Sequence, residues 1–253
     1  MLDLTLIQAR LVAQAANLQQ VILPDLEDVQ SVDSATKLVP ILDGVVAGNS
    51  YPIVLPNDIT YPSAIYELTG SDRVEEYGYP ILRADQYLVG VQHPLYGTCA
   101  TTAKSLRAAL QDYAPTGEAG TVDILDQSDG YDMDFELFEH VMVLRMIHLA
   151  RSVQTLPAAF VFHIDEGFLG GEEITCVNGF AEARFSVLLV IKIPAGGTSG
   201  ISETREQIVS ALAGWQPTGW SKIEPQGGTV VSVHSKIVLW RDEFSLVQER
   251  TYP

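Results

Sequence analysis

Five histidines and two cysteines are the side chains of this sequence best suited to nucleophilic or metal chemistry. None of the histidines has the spacing that builds a zinc site from one helix or strand. His163 precedes Asp165 and Glu166 at the end of a predicted strand, which fits half of an acid/base or metal site and equally fits a polar loop. Cys99 and Cys176 are too few for a disulfide scaffold, so we predict free thiols rather than a single bridge. We predict no catalytic residue, no metal site and no cofactor.

Carboxylates are the most concentrated chemical group, and they cluster between residues 123 and 139. The segment 126–132 resembles a calcium-binding loop, but its glycine comes at the fifth place and no glutamate fills the twelfth. The phosphate-binding glycine motifs and the GxSxG motif of hydrolases do not occur in the sequence. We therefore interpret the cluster as a charged hairpin tip in solvent.

The whole chain is acidic, with a formal net charge of −17 over 253 residues. Residues 1–150 hold 21 acidic and 7 basic side chains, so most of the excess lies there. Such a surface does not grip a nucleic-acid backbone, which needs clustered lysine and arginine. It fits a surface that nucleic acid must pass without sticking. The candidate residues for an acidic lumen or rim surface are Glu75, Glu76, Asp123, Asp126, Asp129, Asp132 and Asp134.

The chain is organised around a twelve-residue stretch that appears twice. Residues 106–117 and 208–219 match in register at an offset of 102, with apolar residues at i, i+3, i+4 and i+7. Each copy closes with Pro-Thr-Gly, which we expect to stop a helix. The spacing predicts one buried helix in each half of the chain, with a core formed by Leu106, Leu110, Tyr113, Ile208, Leu212 and Trp215.

The same order of elements surrounds both copies of the helix. A proline-started strand comes first, a polar loop follows over 69–79 or 165–179, and a longer strand leads to the helix. Two closing strands follow in each copy. We predict an α+β fold of two similar domains, 1–150 and 151–253, each a mostly antiparallel sheet with one or two helices packed on one face.

Two helices are predicted before the first copy and form a lead-in that the second copy does not plainly have. One carries an apolar stripe from Leu4 to Leu18 with Asp3 or Thr5 as its cap, and the other covers about 32–46, with Pro40 at a kink or at its true start. The first residues lack the basic region of a signal peptide, and no apolar run is long enough to span a bilayer. We expect a protein made in a cytoplasm, without a membrane partner.

The order of elements resembles the small tail-terminator and tail-completion proteins of long-tailed bacteriophages. In the first copy the likeness lies in the strands 61–66 and 86–91 and the helix 103–110. It is closer in the second copy, over 185–193, 204–220 and 229–244. Proteins of this kind usually have one such domain per chain, so a duplicated domain would change the number of chains in a ring.

The resemblance implies a structural virion protein at the head–tail junction, assembled in the host cytoplasm. It would form a homo-oligomeric ring, a hexamer or a trimer, that caps the tail tube, ends its polymerisation and joins it to the head connector or stopper. DNA would pass through the ring without specific binding. The alternatives are another neck or baseplate ring component, such as a connector stopper, and a small-ligand-binding protein or enzyme built around His163.

Overall fold

The computed structural model describes residues 2–24, 34–54, 56, 58–111, 113, 120–150, 152–169, 178–193, 200–234 and 236–251. The helices are α1 (Leu4–Gln14), α2 (Ala35–Val46), α3 (Tyr96–Gln111) and α4 (Ile201–Leu212). The strands are β1 (Gln20–Ile22), β2 (Ser50–Pro52), β3 (Ser63–Glu76), β4 (Tyr79–His93), β5 (Gly120–Asp132), β6 (Leu137–Leu149), β7 (Ala158–Leu169), β8 (Asn178–Lys192), β9 (Glu224–His234) and β10 (Ile237–Thr251). Within these residues, no helix is long and apolar enough to cross a membrane.

The chain forms two compact units, each with its own five-stranded sheet. The first unit comprises Met1–Asp28, Tyr77–Tyr79 and Ser152–Pro253, and its strands run β1-β7-β8-β10-β9. The second comprises Val29–Glu76 and Pro80–Arg151, and its strands run β2-β3-β4-β6-β5. The short outer strand of each sheet, β1 or β2, pairs in parallel with its neighbour. The predicted α+β class with two mostly antiparallel sheets is confirmed.

Residues 2–24 lie with the C-terminal part of the chain, which differs from the expected division at residue 150. Strand β1 pairs in parallel with β7, from Gln20 opposite Ala158 to Ile22 opposite Phe160. Helix α2 and strand β2 make the matching pair of elements in the second unit. Both units therefore have a helix and a short parallel strand before the antiparallel strands, and the expectation that only the first copy has a lead-in is wrong.

Helix α1 begins at Asp3, whose carboxylate accepts a hydrogen bond from the Thr5 backbone N–H at 2.9 Å. This bond satisfies one of the free donors at the helix start. The buried side chains of Ile7 and Leu11 then face the same core as α4. Arg10 fixes the two helices further, because its Nε donates to the Ala211 carbonyl at 3.0 Å and its guanidinium lies 5.5 Å from the Trp215 ring centre.

The helices of the second unit pack on one face of its sheet in the same way. Helix α2 runs through Pro40 rather than starting there, and it buries Leu38 and Leu42. Helix α3 buries Leu106 and Leu110 against this core, with residue 113 packed at its edge. The matching residues of α4 behave alike: Ile208 and Leu212 are fully buried and Trp215 is half-buried.

Helix α4 ends at Leu212, well before its Pro-Thr-Gly. Gly214 has φ of +75°, a left-handed conformation that glycine adopts without strain, and it turns the chain away from the helix. The expected stop at 217–219 is therefore wrong for α4. The corresponding residues 115–117 of the first copy lie outside the described part of the chain.

The hairpin strands are longer than predicted. Residues 69–76, expected as a loop, belong to β3, and the turn consists of Tyr77 and Gly78, both at positive φ. Residues 165–169 likewise belong to β7. The pair Gly227-Gly228 also lies inside a strand, β9. Polar residues in these strand segments hide the alternation by which a strand is recognised in a sequence.

Candidate assembly surface

The acidic cluster lies on the hairpin of β5 and β6 at one edge of the second sheet. Strand β5 pairs with β6 alone and forms the outer strand. Asp126, Asp129 and Asp134 are exposed, whereas Asp123 and Asp132 are half-buried. The residues between Asp126 and Asp132 are part of a strand, whose side chains alternate between faces, and so they do not wrap around an ion as a calcium loop does.

A β-bulge divides the carboxylates between the two faces of the sheet. The register shifts between Ile124 and Asp126, so Leu125 is the extra residue. Asp123 and Asp126 therefore both face away from the helices, while Asp129 lies on the helix side. There its Oδ1 is 2.6 Å from Nδ1 of His140, the residue opposite it on β6.

A further carboxylate, that of Glu139, lies on the sheet face that points away from the helices. Glu139 lies opposite Gly130 on β6, and its Oε1 accepts a hydrogen bond from Gln92 Nε2 at 3.2 Å. This carboxylate occupies space that a larger residue at Gly90 would fill, because a Cβ there would come within 2.7 Å of the Glu139 Oε1. Asp123, Asp126 and Glu139 thus share one side of the hairpin.

The second predicted acidic patch, Glu75 and Glu76, lies at the end of β3 next to the turn. Glu75 is exposed, but Glu76 is only 8% exposed. The two residues point to opposite sides of the strand, as neighbours in a strand must. Only Glu75 therefore adds charge to an open surface at this place.

His163 and its neighbours do not converge into a site. A bulge between His163 and Asp165 leaves His163 opposite Phe185 and Asp165 opposite Arg184. Arg184 donates to both oxygens of Asp165, and this hydrogen bonding holds the pKa of the Asp165 carboxyl below its usual value. A polar cleft of the same unit is lined by residues of α1 and α4 and does not include His163: Gln14, Glu203, Glu206, Gln207, Ser210 and Ala211.

We searched the described residues for side chains that could bind a metal ion. Among the residues that the structure describes, no group of three or more His, Cys, Asp or Glu side chains could hold a metal ion. Cys99 is a free, buried thiol, and burial raises its pKa, which keeps it protonated. Cys176 lies outside the described residues.

Two features of the second unit were missed in the sequence. One is the buried carboxylate of Asp85. Burial alone would raise its pKa, but hydrogen bonds from Ser34, Ser71 and Arg83, with the charge of Arg83, lower it. The other is the exposed apolar pair Met133 and Phe135 in the turn between β5 and β6, 83% and 74% exposed. The sequence did contain a signal for Met133 and Phe135. Both stand among acidic residues in a predicted hairpin tip, where an apolar side chain has no core to pack against.

Part of the chain is similar to a known protein family. Residues 137–252 match the family model of the phage tail terminator protein. The resemblance found in the sequence is thus confirmed over this segment, and the tail terminator match indicates a structural role in a phage tail. The match begins at β6 and covers β7 to β10 with α4, so β5 and the turn after it lie before its first residue. No curated relative matches the chain.

Proposed function

We propose that this protein is a tail terminator, a homo-oligomeric ring that caps the tail tube, ends its polymerisation and joins it to the head connector. The tail terminator match over residues 137–252 carries this proposal. Assembly would take place in the host cytoplasm, and the finished ring would remain in the virion at the head–tail junction.

The two units are proposed as two tail-terminator-like domains within one chain. Their identical strand order supports this view, as does the matching repeat in α3 and α4. If each domain fills one position of a ring, three chains supply six positions. A hexamer of chains would instead leave one domain of each chain for another partner.

The acidic side of the β5–β6 hairpin is proposed to face the lumen or its rim, with Glu75 as further negative charge. Asp123, Asp126 and Glu139 lie on one face of the hairpin, where they outnumber Arg145, the residue opposite Asp123. Carboxylates at this place would repel DNA phosphates, so the genome would slide without binding.

The mass of the purified protein, measured by native mass spectrometry with and without tail tube protein, tests the proposed ring. We expect a trimer or hexamer that shortens tubes polymerised in its presence, as seen by electron microscopy. A pull-down against tube protein and head connector separates a terminator, which binds both, from a connector stopper, which ignores the tube. A protein that neither oligomerises nor binds tubes would contradict the proposal.

The lumen placement makes a separate prediction. Replacing Asp123 and Asp126 by asparagine removes negative charge while preserving size, and particles carrying this variant should deliver DNA more slowly. The control variant replaces Glu203 and Glu206, exposed residues of α4, by glutamine. DNA delivery at the wild-type rate by the aspartate variant would contradict a lumen position for this face.

A further inference from the structure

The hairpin of β5 and β6 is longer than its counterpart in the first unit. Val91 lies opposite His140 in the second sheet, as Ile191 lies opposite Val238 in the first. With these pairs aligned, Gly130 opposite Glu139 corresponds to His234 opposite Ile237, where β9 ends and β10 begins. The eight residues 131–138, here named the tip extension, thus stand where the first unit has two residues. Leu137 is 4% exposed and Phe138 packs against the core of the second unit, so the apolar side chains of the tip extension that packing leaves unburied are Tyr131, Met133 and Phe135.

The tip extension presents apolar side chains to solvent. Met133 is 83% exposed, Phe135 is 74% exposed and Tyr131 is half exposed. The Phe138 ring lies 4.8 Å from that of Tyr131 and 5.5 Å from that of Tyr96, measured between ring centres. These contacts continue the apolar surface to the start of α3. Aromatic and methionine side chains of this kind are enriched at protein interfaces.

Two hydrogen bonds stabilise the turn. Asp132 Oδ1 accepts hydrogen bonds from the backbone N–H of Asp134 at 2.9 Å and of Phe135 at 3.2 Å. Binding through a turn that is already ordered loses less conformational entropy than binding through a flexible loop. The tip extension therefore offers Met133 and Phe135 as anchors in a fixed arrangement.

Charge identifies the kind of partner. Asp134 and Glu136 flank Phe135 in the turn, and both are exposed. Acidic side chains around an apolar centre fit a pocket bordered by lysine and arginine. A second copy of this chain is a poor match, because it carries 32 acidic against 15 basic residues. Nucleic acid and anionic membranes would be repelled.

We propose that the tip extension docks into an apolar pocket, bordered by lysine and arginine, on a protein other than this chain. The inference rests on the proposed function, in which that protein is the neighbouring component of the tail. In this proposal the turn contacts the partner protein at the rim of the ring, and the strand residues Asp123 and Asp126 face the lumen.

The experiment compares a variant with Met133→Ser and Phe135→Ser with a control with Val230→Ser and Val233→Ser. The control residues are 47% and 58% exposed on β9, the outer strand of the matching hairpin. Binding to purified tail tube protein and to purified head connector is titrated at low and high salt. Unfolding temperature and native mass are measured for both variants.

We expect the Met133/Phe135 variant to keep its fold and its native mass and to bind one of the two partners at least about tenfold more weakly, a factor equivalent to roughly 1.4 kcal/mol. The control should bind as the wild type does. A third variant, Asp134→Lys, should weaken the same interaction and reduce its sensitivity to salt.

Three results would overturn the inference. Binding of both partners at wild-type strength by the Met133/Phe135 variant would exclude docking through the tip while leaving the ring intact. A loss of self-association in that variant would identify a second copy as the occupant. Wild-type protein that binds neither partner would remove the proposed function together with the inference.

Discussion

The two units share one strand order, yet each buries a carboxylate at a position where the other has an apolar side chain. Pro94 and Pro194 follow the second long strand of each unit, and aligning them matches Asp85 with Phe185. The opposite strands then match Leu144, which faces Tyr87, with Asp242, which faces Val187. The same fold thus tolerates charge at either position, provided that local partners satisfy it.

The partners of Asp242 come from a helix and from a space that glycine leaves open. Arg205 of α4 donates to Asp242 at 2.9 Å and lies 4.6 Å from the ring centre of Trp240. On the neighbouring strand, a Cβ at Gly228 would come within 2.1 Å of the Asp242 Oδ1. In the second unit the residue at the position of Arg205 is Ala103 and the residue at the position of Asp242 is Leu144, and both are buried. One unit has an ion pair where the other has two apolar side chains.

The largest expected effect tests whether the repeated helices are equivalent. Leu110 and Leu212 are 1% and 0% exposed at matching positions of α3 and α4. Replacing either by alanine leaves a cavity and should lower the free energy of unfolding by about 3 kcal/mol. Chemical denaturation followed by circular dichroism measures the loss in both variants.

Tryptophan fluorescence adds a local probe to that measurement, because Trp215, Trp220 and Trp240 all lie in the first unit. The Leu212→Ala variant should shift the fluorescence transition directly. The exposed Val12→Ala is a control in α1 that should change little. A loss below about 1 kcal/mol in either leucine variant would mean that the two helices do not make equivalent contributions to their cores.

The next largest effect concerns the ion pair of the first unit. Arg205→Ala leaves the Asp242 carboxylate buried without its partner and should cost about 2–3 kcal/mol, less than for a fully buried pair because Arg205 is 37% exposed. Adding Asp242→Leu reproduces the arrangement of the second unit and should restore most of the loss. A double variant as unstable as Arg205→Ala alone would show that the Gly228 side of the site cannot accept an apolar side chain.

The sequence predicts the order of elements better than it predicts their grouping. The apolar stripe that includes Leu106 and Leu110 is local and periodic, and the similar stretch 208–219 shows the same pattern a second time. The place of residues 2–24 depends on β1, a three-residue strand that pairs with residues more than 130 positions away, and on the contacts of α1 with α4. Such a short strand has no period to read, and its parallel partner cannot be inferred from local propensity.

Buried polar groups are hidden from sequence reasoning for a related reason. Asp85 stands between Ala84 and Gln86 in β4, and these neighbours do not mark it as buried. Its environment includes Ser34, which is 51 positions away in the sequence and whose Oγ lies 2.5 Å from the Tyr87 hydroxyl. Only the folded chain brings these groups together. The tip extension is different, because its apolar residues are adjacent in sequence and become informative once the matching hairpin of the first unit is known to be shorter.

The smallest expected effect concerns Asp85 and distinguishes the second unit from the first, which has Phe185 at that position. The pKa of Asp85 is lower in the folded protein than its ordinary value, so the unfolded chain binds the proton more readily. The stabilisation is complete above the ordinary carboxyl pKa, about 4, and is lost as the pH falls through the lower folded value. Unfolding free energies measured between pH 6 and 2.5 should therefore fall less steeply in Asp85→Asn than in the wild type. The exposed Asp134→Asn provides the control, and an equal slope in wild type and Asp85→Asn would mean that other carboxylates, such as Asp165, account for the acid sensitivity.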